Sequence, residues 1–586
     1  MSTSAAYDSS VPDLAGKVVF ADDDARTLLT GHIEALCHPD RSTWQMVKQN
    51  VSRTVYRGRI DDQEIYLKHF HRPWGLRRLV QVLGGSKACQ ELRRSQYLRA
   101  HGVATAPPLA AMCDGSIEWF AARAVAPAEP ANVWHERMLA RGAEGRNAIQ
   151  QALAALANLV GRMHQAGVIH RDLHCGNLLV RTDAARPRLV LTDLHRAKRR
   201  RRLSRRARAA NLAHLLHDRF YFTTRTERLR FLQHYLRAAG AAGTLRGWQV
   251  MVEDLAHRHA RRQYAGRDRR VSGNNRYFHR IRLPGGWRGH VVLASKRKMA
   301  GARAAELVFT VEDWQTALAD PLALCDRTRG QVKKDSPSSF VIRRELEIGG
   351  HRLDVHVKRA MRKQSWKIML DCFRRPRSIR AFALGHRLLT RRIATALPLA
   401  AIQRRVGPFL LDSILITETV RGLEMNQFLN QWLSRSPRSR SGLNSTQKRL
   451  LARGVLRQLG QLLRRLHDNK LAHRDLKASN MLVRWDGRSA PEVALVDLDG
   501  LRQTRLLTTR ERFQGLMRLN VSLLECPAVN RAGRLRMLLG YLRRPGCGRI
   551  SFKPYWRALD RWSAWKLRKQ IHDRRKRQKA VRGPVP

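Results

Sequence analysis

The feature that most constrains this chain is a catalytic-loop motif that occurs twice. Residues 170–177 read HRDLHCGN and residues 473–480 read HRDLKASN, so both match H-R-D-L-x-x-x-N. In phosphoryl-transfer enzymes with this loop, the aspartate orients and deprotonates the attacking hydroxyl, and the asparagine five residues later holds a Mg²⁺ ion. The motif therefore predicts catalytic and metal-binding residues in both copies, namely Asp172 with Asn177 and Asp475 with Asn480.

Each motif is followed by an apolar, strand-like run that ends in aspartate. The runs are 189–193 (LVLTD) and 494–497 (ALVD), and they place Asp193 and Asp497 where a second metal ligand is needed. Carboxylate and amide oxygens bind Mg²⁺ together with phosphate oxygens and water. ATP and Mg²⁺ are therefore the predicted cofactors.

A lysine on an earlier strand holds the ATP phosphates in enzymes of this kind. Residues 64–70 (EIYLKHF) and 353–358 (LDVHVK) alternate like strands, and they carry Lys68 and Lys358. The two lysines are 290 residues apart, and the later stretches VATAPPLA and IATALPLA keep the same spacing. This shared register predicts a tandem duplication.

The duplication predicts an α+β protein with two tandem bilobal protein-kinase-like domains, each with a small β-rich N-lobe and a helical C-lobe. The first copy is expected at 17–260 and the second at 306–575, and each is long enough for one domain. An N-terminal tail (1–16), a basic connector (261–305) and a basic C-terminal tail (576–586) complete the chain. The sequence leaves open where the connector packs.

Composition restricts the partners and the compartment. Lys+Arg number 112 against 47 Asp+Glu, and the resulting net charge of +65 predicts polyanionic partners but says little about fold. No apolar stretch approaches the roughly 20 residues that cross a bilayer, and the first residues lack the pattern of a signal peptide. Eight cysteines without a C-x-x-C pair suit a reducing cytoplasm. No nucleic-acid-reading motif is evident, so no specific nucleic-acid partner is expected.

Together these features resemble the lipopolysaccharide kinase family, the Kdo and heptose kinases of the lipopolysaccharide core, whose members have a protein-kinase-like fold. The resemblance covers most of copy one and, more loosely, copy two. It rests on the following segments of this sequence: Tyr66-Leu67-Lys68-His69-Phe70, Glu91-Leu92 with Leu98, Gly102-Val103 with Thr105 and Pro107-Pro108-Leu109, Asp172-Leu173-His174, Asp193-Leu194-His195-Arg196-Ala197 and Asn211-Leu212-Ala213.

The resemblance implies ATP-dependent phosphorylation of a sugar hydroxyl on the lipopolysaccharide inner core. It also implies a cytoplasmic protein peripheral to the inner membrane. The expected partners are the lipopolysaccharide core, or another anionic glycolipid acceptor, and the anionic inner-membrane surface. In copy one, Lys68 would hold the ATP phosphates and Glu91 would orient Lys68 through an ion pair.

A basic run at 198–206 (KRRRRLSRR) follows Asp193 closely. In a kinase fold this segment lies beside the acceptor, where arginine forks could bind its phosphates and carboxylates. The less favoured interpretation of the run is a solvated charged surface.

Copy two departs from the pattern. At constant spacing Glu91 falls on Ala381, so the lysine-orienting acid is missing or comes from elsewhere. Lys477 resembles the phosphate-contacting lysine of protein Ser/Thr kinases and is a candidate cofactor ligand. Asp499 could join Asp497 on the metal, or could cap a turn or helix. Copy one is predicted to be active, and the activity of copy two is left undecided.

Two other functions stay open: an atypical Ser/Thr protein kinase, and a pseudokinase-like scaffold that binds polyanions or membranes. Neither copy has a G-x-G-x-x-G loop, since Gly58 stands alone and Gly349-Gly350 form a simple turn. The A-P-E landmark of protein kinases is absent as well, which disfavours a standard protein kinase. The basic, tryptophan-containing stretch 556–577 is either an interfacial helix or the last helix of the fold.

Overall fold

The computed structural model describes residues 17–50, 52–71, 85–114, 117–183, 186–220, 222–295, 307–361, 375–433, 442–487, 491–543 and 551–581, with only the backbone given for 574–581. The chain divides into two units, Met1–Ala260 and Arg261–Pro586. The mixed helix and strand content expected from the sequence is present in both units. The predicted N-terminal tail lies outside the described residues.

An antiparallel sheet carries the lysine strand of the first unit. Its strands are β1 (Val18–Phe20), β2 (Gln45–Asn50), β3 (Arg53–Ile60), β4 (Gln63–Phe70), β5 (Pro108–Asp114) and β6 (Ile117–Arg123), in the spatial order β1-β5-β6-β4-β3-β2. On β4, Ile65 and Leu67 are fully buried in one face, so alternation sends Lys68 to the other face. Lys68 lies between Val55 of β3 and Phe120 of β6.

The rest of the first unit is mainly helical. Its helices are α1 (Asp23–Leu29), α2 (Ile33–Cys37), α3 (Lys87–Ala100), α4 (Ala131–Ala140), α5 (Gly142–Gln165), α6 (Arg205–Leu216), α7 (Arg225–Ala238) and α8 (Leu245–Arg270). Its short strands are β7 (Ala128–Pro130), β8 (Val168–His170), β9 (Leu178–Arg181), β10 (Arg188–Leu191) and β11 (Ala197–Arg199). Strand β9 pairs with β7 and β10, and β11 pairs with β8, so the motif residues lie on the ends of paired strands.

The second unit repeats this order of elements with additions. Its strands are β12 (Phe278–Leu283), β13 (Trp287–Val292), β14 (Ala294–Ser295), β15 (Leu307–Val308), β16 (Gln331–Ser336), β17 (Ser339–Ile348), β18 (His351–Ala360), β19 (Pro398–Val406), β20 (Phe409–Glu418), β21 (Leu423–Glu424), β22 (Leu471–His473), β23 (Met481–Arg484), β24 (Glu492–Leu495) and β25 (Leu501–Gln503). Its helices are α9 (Val311–Ala317), α10 (Arg377–Thr390), α11 (Met425–Leu433), α12 (Ser445–Asp468), α13 (Thr509–Leu524), α14 (Arg531–Leu542) and α15 (Lys553–Val581).

The prediction of a basic connector over 261–305 needs correction. Strands β12 and β13 lie within it and extend the second sheet, whose order is β12-β13-β19-β20-β18-β17-β16. Strand β13 pairs with β19 as β1 pairs with β5 in the first unit, and Ile281 and Trp287 are buried in the second sheet's core. The arginines of this segment suggested a solvated connector. Its apolar side chains are buried, however, and this burial stabilises β12 and β13 as part of the sheet. Residues 296–305 lie outside the described residues.

The C-terminal boundary also shifts. Helix α15 continues to Val581, inside the interval 576–586 that was expected to be a tail. Leu559 and Ser563 of this helix are buried against other parts of the second unit, whereas Trp565 is 60% exposed. Among the described residues, no helix combines the length and the apolarity that a membrane crossing requires.

A buried histidine recurs in equivalent places in the two units. His164 on α5 has its ring nitrogens 2.7 Å from the Tyr235 hydroxyl and 3.0 Å from Asn211 Oδ1, and His467 on α12 lies 2.9 Å from the Tyr541 hydroxyl. Burial lowers the pKa of His164 to about 4 and that of His467 to about 3. Both histidines are therefore held neutral inside the protein.

We expect His164 to make stability depend on pH. The pKa of an unfolded histidine is near 6.5, whereas that of folded His164 is about 4. Between these two pH values, the unfolded chain binds a proton at this histidine and the folded protein does not. The resulting stability is complete above pH 6.5 and falls on acidification, by about 2 kcal/mol at pH 5. Urea unfolding at pH 7 and pH 5 should show a smaller pH effect for His164→Gln than for wild type. The exposed control His32→Gln should keep the wild-type slope, and equal slopes for all three proteins would contradict the prediction.

Candidate functional site

The two catalytic loops have the same internal hydrogen bonds. The Asn177 side-chain amide donates to the Asp172 carbonyl at 2.9 Å, and the Asn480 amide donates to the Asp475 carbonyl at 2.8 Å. The Asp172 backbone N–H donates to His170 Nδ1 at 3.1 Å. These bonds fix the backbone and leave the Asp172 carboxylate 41% exposed, which is what a base that meets a substrate hydroxyl requires.

Lys68 and Glu91 form an ion pair. Lys68 Nζ lies 2.6 Å from Glu91 Oε1, and only 2% of the Glu91 side chain is exposed. Helix α3 explains this position, because Ala88, Leu92 and Leu98 form its buried stripe and Glu91 lies on the same face. The same Oε1 atom accepts the Leu194 backbone N–H at 3.1 Å. This bond ties α3 to residues 193–197, which carry the predicted metal ligand Asp193; we call this segment, and residues 497–499 of the second unit, the metal segments.

Asp193 lies at the centre of a cluster of cationic and histidine side chains. The Arg53 guanidinium contacts both carboxylate oxygens of Asp193, and its Nη2 lies 2.7 Å from Oδ2. His195 Nδ1 lies 2.7 Å from Oδ1, and Lys68 Nζ lies 3.7 Å from the same oxygen. Burial alone would raise the pKa of the Asp193 carboxyl, but Lys68, His195 and Arg53 together hold it well below its usual range. Asp193 is therefore ionised at any physiological pH.

The predicted metal ligands have the right donor atoms. Because the Asn177 amide nitrogen is given to the Asp172 carbonyl, its Oδ1 is the atom left to bind a cation. The ionised Asp193 supplies carboxylate oxygen, and Mg²⁺ needs only one or two protein oxygens beside phosphates and water. These residues fit Mg²⁺, and Arg53 is the side chain that a cation at Asp193 would have to displace.

In the second unit the lysine has a different partner. Lys358 Nζ lies 2.7 Å from Asp499 Oδ2 and 3.5 Å from Asp497 Oδ1. Burial acts to lower the pKa of Lys358, but the charges of Asp499 and Asp497 raise it above its usual value. Helix α10 places Ala381, 2% exposed, where α3 places Glu91. The missing acid thus comes from elsewhere, and Asp499 binds the lysine in addition to sitting at a turn.

Lys477 lies beside the predicted base of the second unit. Its Nζ is 2.9 Å from Asp475 Oδ2, and both side chains are 54% exposed. The Val496 backbone N–H donates to the Asn480 carbonyl at 3.1 Å, which holds that loop against the segment leading to Asp497. The structure therefore brings together the predicted residues of the second unit.

The hairpin before each lysine strand has no glycine in its turn, and Gly58 of the first hairpin lies within strand β3. In the first unit β2 and β3 form it, and Arg53 begins β3 opposite Phe70. In the second unit β16 and β17 form it, and Ser339 begins β17 opposite Ala360. Ser339 therefore occupies the position that Arg53 occupies in the first unit, and the second unit lacks an arginine at this point.

The basic run of the first unit lies next to its catalytic loop. Strand β11 pairs Ala197 with His170, and Arg196 Nη1 is 3.5 Å from Asp172 Oδ2. Lys198 and the arginines at 199–202, 205 and 206 are exposed. In the second unit, Arg502 and Arg512 instead pair with Glu511 and Asp468. A dense exposed basic surface thus accompanies Asp172.

Sequence reasoning missed three contacts in this site. Arg53 gave no signal, because its partner Asp193 lies 140 residues away. His195 follows Asp193 by two residues, but the motif alone predicts no role for it. Asp499 was considered only as a metal ligand or capping acid, although its position two residues after Asp497 matches that of His195 after Asp193. The absence of Asp and Glu from α10 is the signal that could have identified Asp499 as the partner of Lys358.

Comparison with known proteins agrees with the duplicated site. The sequence model of the lipopolysaccharide kinase (Kdo/WaaP) family matches residues 41–235 and again 339–541. The chain is 33% identical over 209 residues to the lipopolysaccharide core heptose(I) kinase WaaP of Pseudomonas aeruginosa, spanning 32% of this chain and 74% of that protein. A solved structure of WaaP in complex with acyl carrier protein shows 26% identity and a TM-score of 0.33, covering 41% of this chain and 98% of that one.

The two family matches together cover more than half of the chain, and each contains one complete set of predicted site residues. The chain therefore belongs to the lipopolysaccharide kinase (Kdo/WaaP) family and is a phosphotransferase.

Proposed function

We propose that this protein transfers the γ-phosphate of ATP to a sugar hydroxyl of the lipopolysaccharide inner core, with the first unit carrying out the transfer. The observation that carries this proposal is the convergence of Lys68, Glu91 and Asp193 from three separate segments. Such a cluster is the arrangement that positions a nucleotide and its cation in protein-kinase-like enzymes.

Each residue of the first unit has a role in this proposal. Lys68 binds ATP phosphates and is oriented by Glu91, while Asn177 and Asp193 would hold Mg²⁺, which would neutralise charge on the transferred phosphoryl group. Asp172 orients the acceptor hydroxyl and accepts its proton. In the second unit, Lys358 and Lys477 would contact phosphates, Asn480 and Asp497 would hold the metal, and Asp475 would be the base.

We also propose that each unit is a bilobal protein-kinase-like domain. The apolar residues around the first sheet, such as Leu67 and Trp119, form clusters separate from the helical cluster that contains Leu156 and Trp248. In the second unit, one cluster lies on the sheet around Ile342 and Val355, and a second cluster, centred on the helices, reaches the sheet through Ala401 and Leu415. Two cores per unit are what a cleft between lobes requires.

The acceptor is proposed to be anionic, either the lipopolysaccharide core or a related glycolipid. The exposed basic run beside Asp172 supports this choice, because guanidinium groups pair bidentately with phosphate and carboxylate. The net charge of +65 also favours a position at the anionic cytoplasmic surface of the inner membrane, since each suitably placed Lys or Arg contributes about 1 kcal/mol there.

The test is transfer of radioactive phosphate from γ-labelled ATP to purified, phosphatase-treated lipopolysaccharide core. A neutral oligosaccharide and a generic protein serve as alternative acceptors, each with and without EDTA. We expect label in the core alone, and only when Mg²⁺ is present. Label in the protein acceptor alone would replace this function with that of a protein kinase. Absence of label from every acceptor would favour a binding role.

A further inference from the structure

In both units the strand lysine lies near two carboxylates, but the nearer carboxylate comes from a different element in each unit. In the first unit Lys68 lies 2.6 Å from Glu91 and 3.7 Å from Asp193. In the second, Lys358 lies 2.7 Å from Asp499 and 3.5 Å from Asp497. Each ammonium thus has one close carboxylate and one more distant metal-segment carboxylate.

Helix α10 cannot supply the close acid. It has the same length as α3 and the same spacing from its lysine strand, but its sequence RSIRAFALGHRLLT contains no Asp or Glu. Ala381 stands at the Glu91 position and packs with Phe382 and Leu388 in an apolar core. A lysine facing this helix alone would be partly buried without a counter-charge, which is costly.

The metal segments of the two units differ at the matching point. His195 follows Asp193 by two residues and contacts it at 2.7 Å, with Glu91 3.9 Å away. Asp499 follows Asp497 by two residues, and its backbone N–H donates to Asp497 Oδ1 at 3.2 Å. Compared with the first unit, the second unit therefore has no acid on the helix but has an acid on the facing segment.

We propose that Asp499 is the lysine-positioning residue of the second unit, so that this unit retains a nucleotide-binding cleft that does not depend on an acid from α10. The proposal rests on the proposed function, because it assumes that Lys358 binds ATP phosphates. Lys358 and Asp499 line one cleft with Ser338 and Ser339 of the β16–β17 hairpin. Arg377, Ser378 and Ser413 line the same cleft, so it offers cationic and hydroxyl groups of the kind that bind phosphate.

ATP binding to the full-length chain tests this role without any acceptor. The parent protein for this test carries Lys68→Met and Asp193→Asn, so that the remaining ATP binding belongs to the second unit. Adding Lys358→Met to the parent should abolish this binding. Titration is done with EDTA present, since a residue that acts only through a metal would then have no effect. Asp499→Asn should weaken ATP binding by roughly tenfold, because the ammonium loses its charged partner. Asp499→Glu, which keeps the carboxylate, should remain within about threefold of the parent.

The control is Glu492→Gln, which alters an exposed acid of the second unit that forms an ion pair with Arg484. It should bind ATP as the parent does, and thermal unfolding should show that all variants are folded. Equal or tighter ATP binding by Asp499→Asn would overturn the proposal and identify Asp499 as an acid that closes the cleft. A parent that binds no ATP would overturn it too. Either failure leaves phosphate transfer by the first unit, measured separately, unaffected.

Discussion

Replacing Asp172 by asparagine is expected to lower the rate of phosphate transfer to the lipopolysaccharide core by about 10²–10⁴-fold, the usual contribution of a general base. Asparagine keeps the shape of the side chain but cannot accept the proton of the acceptor hydroxyl. The fold should survive, because the loop is held through the Asp172 backbone, whose carbonyl accepts from Asn177 and whose N–H donates to His170.

The measurement is the initial rate of label transfer at saturating ATP, with ATP affinity determined in parallel. Affinity should change little, since the Asp172 carboxylate contacts Arg196 and His174 and not the Lys68 cluster. The matched control is Asp183→Asn, which removes an exposed acid that forms an ion pair with Arg181, two residues earlier. Asp475→Asn, assayed alongside, apportions the transfer between the units. An Asp172→Asn protein with the wild-type rate would remove the first unit from the reaction.

The sequence was most informative where the same motif residues recur at a constant spacing in the two copies. The strands with Lys68 and Lys358 were predicted from alternation and are β4 and β18. The spacing that placed Glu91 opposite Ala381 is kept by helices α3 and α10. A local motif and its spacing depend on neighbouring residues alone, which is why they can be read without a structure.

The sequence was least informative where charge masked a simpler pattern. The segment 278–292 was interpreted as basic connector because of its arginines, yet Ile281 and Leu283 alternate with them and are buried. A Pro-Gly-Gly turn follows, with Gly285 and Gly286 at φ of 70° and 77°. Alternation followed by such a turn predicts a hairpin. The pairing of β13 with β19 could not be predicted, because sheet-edge partners are selected by tertiary packing.

The second large effect is expected for Asp193→Asn, which should lower phosphate transfer by about a thousandfold because it removes the carboxylate that would hold the cation. Removing this charge also takes from Arg53, whose side chain is 12% exposed, the carboxylate that both of its Nη atoms contact. Losing a charged hydrogen-bond acceptor at a mostly buried site costs about 1–3 kcal/mol, so the free energy of unfolding should fall by that amount.

The second unit provides the contrast that makes this prediction specific. Asp497 is 34% exposed, its lysine keeps Asp499, and Ser339 stands where the first unit has Arg53. Asp497→Asn should therefore destabilise the protein much less than Asp193→Asn in urea unfolding. A Mg²⁺ titration of ATP binding separates the two effects, since the Asp193→Asn protein should lose the gain in affinity that Mg²⁺ gives to the first unit. If it keeps that gain while losing stability, Asp193 is an anchor for Arg53 and Lys68, and the metal is held elsewhere.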